Sequence, residues 1–272
     1  MVNIKNSVNV KDIWVSSNDR LSDFYASSWQ RGESPVLMLV VRLLLAAVAV
    51  GLFVWSLIVG GSPHWLLYLT NWGLLLITFM LLAGLLVSFL AVLGKVNEDT
   101  ILPWYVSMYW LTFNIAVCIS VVITALFWIL LYDPAIYIEN KDRVFWLDVA
   151  THGLNSCLAL AELLMSRTPL RLLHFYQPLG MGLWYAAFTA IYYSAGGTDA
   201  KGQPYIYEIL DWRRSSRAGT VVAAAVAGLI VVYAVLWVLG RIRDMISTTL
   251  VRTISHDFPP TPPDNFEHTR MA

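Results

Sequence analysis

The sequence predicts an all-α membrane protein, a polytopic transmembrane bundle of six helices with both termini on the same side. Two observations predict it. Mean hydropathy is +0.62, with 58% hydrophobic residues and only 13% charged, about half the charged share of an ordinary soluble domain. The apolar residues also gather into six long runs, each near or above the roughly 20 residues a helix needs to cross about 30 Å of hydrocarbon. A soluble enzyme and a disordered chain are both excluded. The 18 basic and 18 acidic residues cancel, so no basic field invites nucleic acid.

In chain order, residues 1–35 are polar and mixed in charge and lack the short apolar core of a signal peptide. They are expected as a cytoplasmic N-terminal segment. The six spans are expected over 36–60, 66–94, 105–132, 144–166, 170–194 and 218–240, together a membrane domain over 36–240. The second and third are long enough to require tilt or an extension beyond the bilayer, and the fourth is the least apolar. No internal repeat of the kind that marks secondary transporters is visible. Residues 241–272 form a tail with overlapping PxxP spacings in His256-Asp-Phe-Pro-Pro-Thr-Pro-Pro-Asp264, where proline by default keeps the chain extended. Arg241, Arg243 and Arg252 are placed to grip anionic headgroups.

An even number of spans puts both termini on one side. That side carries twelve Lys or Arg, among them Arg42, Lys95, Arg167 and Arg171, against six in the opposite loops. The positive-inside rule then places the termini in the cytoplasm, although Arg213, Arg214 and Arg217 crowd the outer end of the last span.

The cysteines, Cys118 and Cys157, both lie in apolar runs. Two are too few for a thiolate metal site or a disulfide framework, so both are expected as small buried hydrophobes. A retinal Schiff base needs a lysine within a span, and Lys95 sits at an exit. Paired haems need more axial histidines than the single mid-span His152, with His64 and His174 at span ends. No nucleophile elbow, HExxH or P-loop occurs, and no span carries an arginine ladder. No cofactor or metal is expected.

Polar groups inside hydrocarbon must be paired or water-lined. In the fourth span Asp148, His152, Asn155 and Glu162 recur at i, i+4, i+7 and i+14, which stacks them on one helix face. That face should point into the bundle, as a polar network between helices or as a reaction or ion pathway. The second span holds Thr70, Asn71 and Thr78. A threonine in a membrane helix by default returns its hydroxyl to the carbonyl one turn back. Thr112 and Asn114 in the third span read as contacts between helices, and the Trp and Tyr residues near span ends as an interfacial belt.

The run Thr151-His-Gly-Leu-Asn-Ser156, with Arg171-Leu-Leu-His174 and Tyr205-Ile-Tyr-Glu-Ile-Leu-Asp-Trp212, resembles the rolling stone family of membrane proteins. That family is similar in turn to the androgen-induced membrane hydrolases, which cleave fatty-acid esters of hydroxy fatty acids. Tyr68-Leu-Thr-Asn-Trp72, Phe127-Trp-Ile-Leu-Leu-Tyr-Asp133 and Gly197 followed by Tyr205-Ile-Tyr207 carry the wider link. The resemblance covers roughly residues 60–240.

In the hydrolases an intramembrane threonine is the nucleophile and a histidine its base. The resemblance makes Thr70 the nucleophile. Of two histidines three residues apart in the hydrolases, the first matches His152 and the second, the base, matches Asn155. Asn cannot act as a base near neutral pH, so His152 would substitute from one turn away. Asp148 would orient it in the manner of a triad acid, and Asn155 would hold the oxyanion or the tautomer. The implied partners are membrane lipids and a lipid-ester substrate.

The rolling stone resemblance implies a second role. A fly member is linked to myoblast fusion, so the fold would serve as a scaffold with protein partners at cell contacts, its chemistry lost. Ion or lipid transport past Asp148 and Glu162 is the third possibility.

Overall fold

The computed structural model describes residues 13–15, 20–60, 63–95, 102–132, 134 and 145–252. Asp133, Lys141–Arg143 and the proline tail lie outside the described residues, and so does the side chain of Arg252. Among those described, the architecture is all-α, and six helices follow one another in the expected order.

Helix α1 spans Val36–Gly60 and starts at Pro35, whose carbonyl accepts from Leu39 N at 2.9 Å. Its buried residues are Met38, Arg42, Ala46, Ala49, Leu52 and Ser56, a stripe with steps of three and four that faces the bundle. The opposite face, with Leu44 and Ile58, is exposed, as a lipid-facing surface must be. Helix α2 spans Leu69–Val92 and buries Gly73, Gly84 and Ser88 among larger side chains. Small residues at such places let helix backbones approach closely. Helix α3, Trp104–Leu126, is the central element. It packs on α2 and reaches all three of the later helices.

Helix α4 is a composite: α-helical over Phe145–Val149, a π turn over Ala150–Leu154, then α-helical again over Asn155–Met165. A second π turn, Phe127–Leu131, ends α3. Helix α5 spans Tyr176–Ser194 and α6 spans Ser215–Ser247. Of the six, α1, α2, α3 and α6 are long and apolar enough to cross a membrane by length and composition. The buried polar face of α4 and the Gln, Pro and Tyr content of α5 dilute their hydropathy.

Three starts differ from expectation. The second span was expected from 66, but Tyr68 is extended (φ −92, ψ 130) and Trp65–Leu67 form a separate 3-10 turn. The fifth was expected from 170. Pro178 cannot sit deeper than the first turn of a helix because its ring clashes with the carbonyl four residues back, so α5 begins at Tyr176 behind the 3-10 turn Leu172–Phe175. The sixth span was expected over 218–240, but α6 begins at Ser215 and continues to Ser247, through the first residues expected in the tail.

One end of the bundle is tied by arginines. Arg42 is wholly buried and donates to Phe24 O at 2.7 Å, Gly84 O at 3.0 Å and Ser88 Oγ at 2.8 Å, and through NH2 to Glu162 Oε1 at 2.8 Å. Arg167 donates to Ser27 O at 2.7 Å and Gly32 O at 2.8 Å. Arg243 is not at the headgroups as expected. It is buried, donating to Leu163 O at 2.6 Å and Ser166 O at 2.7 Å, because the end of α4 leaves carbonyls without helical partners, which this guanidinium and the Ser27, Ser28 and Trp29 side chains satisfy. The stretch through Phe24, Ala26 and Ser28 is thereby drawn into the bundle, and Ser247 Oγ donates to Ser28 O. Cys118 is buried, but Cys157 is exposed on the outer face of α4, because the polar stripe of that helix takes the inward side.

Candidate active site

Thr70 is the second residue of α2. The carbonyl one turn back, Leu66 O, lies outside the helix and accepts instead from the Trp72 indole at 2.7 Å. The Thr70 hydroxyl goes to His152 Nε2 at 3.0 Å. Thr78, deep in the same helix, follows the default and donates to Leu74 O at 2.7 Å, as Thr112 does to Met108 O at 2.8 Å. The contrast is positional: a threonine in a first helical turn has no carbonyl of its own helix to return to.

His152 lies in the π turn of α4 and is buried. Its ring stacks on Phe127, centroids 3.6 Å apart and 10° from parallel. Phe127 opens the π turn of α3, so two widened turns meet at the site, a placement that recurs where helices carry function. His152 Nδ1 lies 2.8 Å from Asp148 O. A carbonyl only accepts, so Nδ1 carries the proton and Nε2 presents its lone pair to the Thr70 hydroxyl. Thr151 Oγ1, which donates to Leu147 O at 2.8 Å, is a further acceptor 3.2 Å from Nδ1. The backbone of the widened helix thus fixes the tautomer that a general base requires.

Two expected roles are corrected. The Asp148 carboxylate is 3.8 Å from Nδ1, beyond hydrogen-bond range; the carbonyl of the same residue takes the position a triad acid would hold. Asn155 is not among the ring partners of His152, which are Thr70, Thr151 and the Asp148 carbonyl. It lines neither cavity at the site, and its fully buried amide has no hydrogen-bond partner among the described residues. Glu162, at the far end of the stripe, accepts from Arg42 and from Tyr109 OH at 2.6 Å.

Tyr207, not singled out as a site residue by the sequence, completes the group. It comes from the loop before α6, and its hydroxyl caps α2 by accepting from Leu69 N at 3.1 Å. It also interacts with the Thr70 and Tyr185 hydroxyls, and burial pushes its phenol up to about 12, so it stays a neutral donor near pH 7. Nothing in the spacing of the loop signals this approach.

Two cavities meet at Thr70. One, of about 110 Å³, is apolar and lies between α3, α5 and α6; the other, of about 500 Å³, is walled in part by Asn71, Asp148, His152, Lys201 and Glu208. A hydroxyl, an imidazole with its lone pair facing it, a neutral donor and adjoining space together make an arrangement capable of acyl transfer. Among the described residues no three potential ligands gather to hold a metal ion.

The profile of the family described as protein rolling stone matches residues 6–258. Protein rolling stone of Drosophila melanogaster is 29% identical over 210 residues, covering 73% of this chain and 75% of that protein. No solved structure matches the chain. With the match running through all six helices and their connections, the chain belongs to the rolling stone family of integral membrane proteins.

Proposed function

We propose that this protein is a membrane hydrolase in which Thr70 and His152 cleave a lipid ester at the bilayer. The observation that carries the proposal is the 3.0 Å contact between Thr70 Oγ1 and His152 Nε2, with the opposite ring nitrogen held by a carbonyl. As Oγ1 attacks the ester carbonyl carbon, Nε2 takes the hydroxyl proton. Tyr207, beside Thr70, donates to the oxyanion. Collapse breaks the bond to the alcohol oxygen, which leaves with the proton from His152. Water then attacks the acyl-threonine with His152 as base, releasing the acid and restoring the Thr70 hydroxyl.

A scaffold at cell contacts is the reading favoured by Asn155, which stands where the resembled hydrolases carry their base. It expects tight packing around the α4 stripe, whereas a cavity of about 500 Å³ adjoins Asp148 and His152. Cytoplasmic termini are supported by charge: without the buried Arg42, Arg167 and Arg243, nine basic residues stand against six.

The test is labelling of the purified protein in detergent with a lipid-like fluorophosphonate. Wild type labels, and Thr70→Ala and His152→Ala do not. A folded wild type that stays unlabelled transfers support to the scaffold.

A further inference from the structure

Thr70, Phe127, Leu131 and Tyr207 line both cavities, but the other walls differ in kind. The smaller cavity, partly open, is lined mainly by apolar side chains of α3, α5 and α6, with Gly182, Ala186 and Ala225 as its smallest members. The larger one alone contains His152, together with Asp148, Lys201 and Glu208. An ester extends from its carbonyl carbon in two directions, so attack by Thr70 on this seam leaves one half of the substrate on each side.

Proton delivery decides which half goes where. The departing alkoxide must receive its proton from His152, so the alcohol has to lie on the histidine's side. The acyl chain then occupies the opposite, apolar side, where burial of methylenes favours it. Resting on the hydrolase reading above, we propose that the cavity between α3, α5 and α6 is the acyl-binding site. Among the lipid esters of that reading, the substrate is one whose acyl half is short and whose larger alcohol half carries polar groups and departs through the cavity that holds His152. A cavity of about 150 Å³ holds a benzene ring; about 110 Å³ holds a chain of roughly four to five carbons on the same scale. Ala186 on α5 and Ala225 on α6 set that limit, since any larger side chain there takes the space of methylenes.

The experiment compares 4-methylumbelliferyl acetate, butanoate and octanoate as substrates of the full-length protein in detergent. Wild type is compared with Ala186→Phe, Ala225→Phe and, as a control, Ala187→Phe, whose position is exposed on the same helix. Labelling by a small fluorophosphonate checks that each variant keeps a folded, reactive site.

Wild type should prefer butanoate over acetate by about tenfold or more, as burial of added methylenes in an apolar pocket generally gives, with no further gain for octanoate. Ala186→Phe and Ala225→Phe should lower the butanoate-to-acetate ratio by about tenfold or more, and Ala187→Phe should keep the wild-type ratio. Wild type that labels and turns over, with the two cavity variants falling equally on acetate and butanoate, overturns the acyl assignment alone. Wild type inert to both the esters and the fluorophosphonate overturns the hydrolase reading and the assignment with it.

Discussion

Arg42 of α1 and Glu162 of α4 form a fully buried ion pair at 2.8 Å, ten residues along α4 from His152. The pair divides the polar stripe of α4 into two parts with different work. At the Glu162 end Oε1 accepts from Arg42 and Tyr109, and with the further bonds of Arg42 to Gly84 O and Ser88 Oγ helices α1, α2, α3 and α4 are held together. At the His152 end the polar groups border open space. A transport path running the length of the stripe would have to break the ion pair, so the stripe is better described as a structural clamp at one end and the candidate site at the other.

Removing one member of the clamp should be costly. Breaking a buried pair by deleting one partner costs about 3–5 kcal/mol, because the other charge stays buried and uncompensated. Arg42→Met and Glu162→Leu should each lower the thermal midpoint in detergent sharply. The double variant Arg42→Met/Glu162→Leu should recover much of the loss.

Gly84 should tolerate a methyl group less well than Gly73. A Cβ at Gly84 would lie 2.8 Å from Tyr109 Cε2 and 3.1 Å from Arg42 Nε, both fixed by the clamp. At Gly73 it would meet Cδ1 of Ile123, the movable end of a side chain. Gly84→Ala should destabilise by about 1–3 kcal/mol, and Gly73→Ala by less, as read from thermal unfolding of the two variants side by side.

Asp148→Asn should retain most of the reactivity of Thr70. Loss of a true triad acid lowers turnover by about ten-thousandfold, but here the Asp148 carbonyl anchors Nδ1 and the carboxylate stands 3.8 Å away. The labelling rate of Asp148→Asn should therefore fall by less than about tenfold; a fall on the triad scale would show that the carboxylate orients the ring.

Asn155→Leu should leave labelling unchanged and stability equal or higher. A buried amide without partners costs free energy that an apolar group of similar size does not, and Asn155 lines neither cavity. Labelling lost with stability intact would return Asn155 to the chemistry.

The order of the six helices was legible because apolar length is written directly in composition. So was the inward face of α4, since Asp148, His152, Asn155 and Glu162 could not face lipid cheaply. Thr70 and His152 were paired through the resemblance, and spacing alone would have left Thr70 among ordinary backbone-bonded threonines. What escaped the sequence has physical reasons. Helical periodicity presumes an even winding, so neither π turn was visible. The anchor of His152 is a main-chain carbonyl, which every residue possesses. Arg42 sits six residues inside α1, and counting it with the membrane-proximal charges missed a partner 120 positions away. The starts of α2 and α5 depended on Tyr68 and Pro178, single residues inside otherwise apolar runs.

The most direct measurement of the central claim is peptide mapping by mass spectrometry of the fluorophosphonate adduct on full-length protein. The adduct is expected on Thr70, absent from His152→Ala and retained in Asp148→Asn. An adduct on any other residue, or none on a protein whose folding is verified by thermal unfolding, would contradict a reactive Thr70–His152 pair.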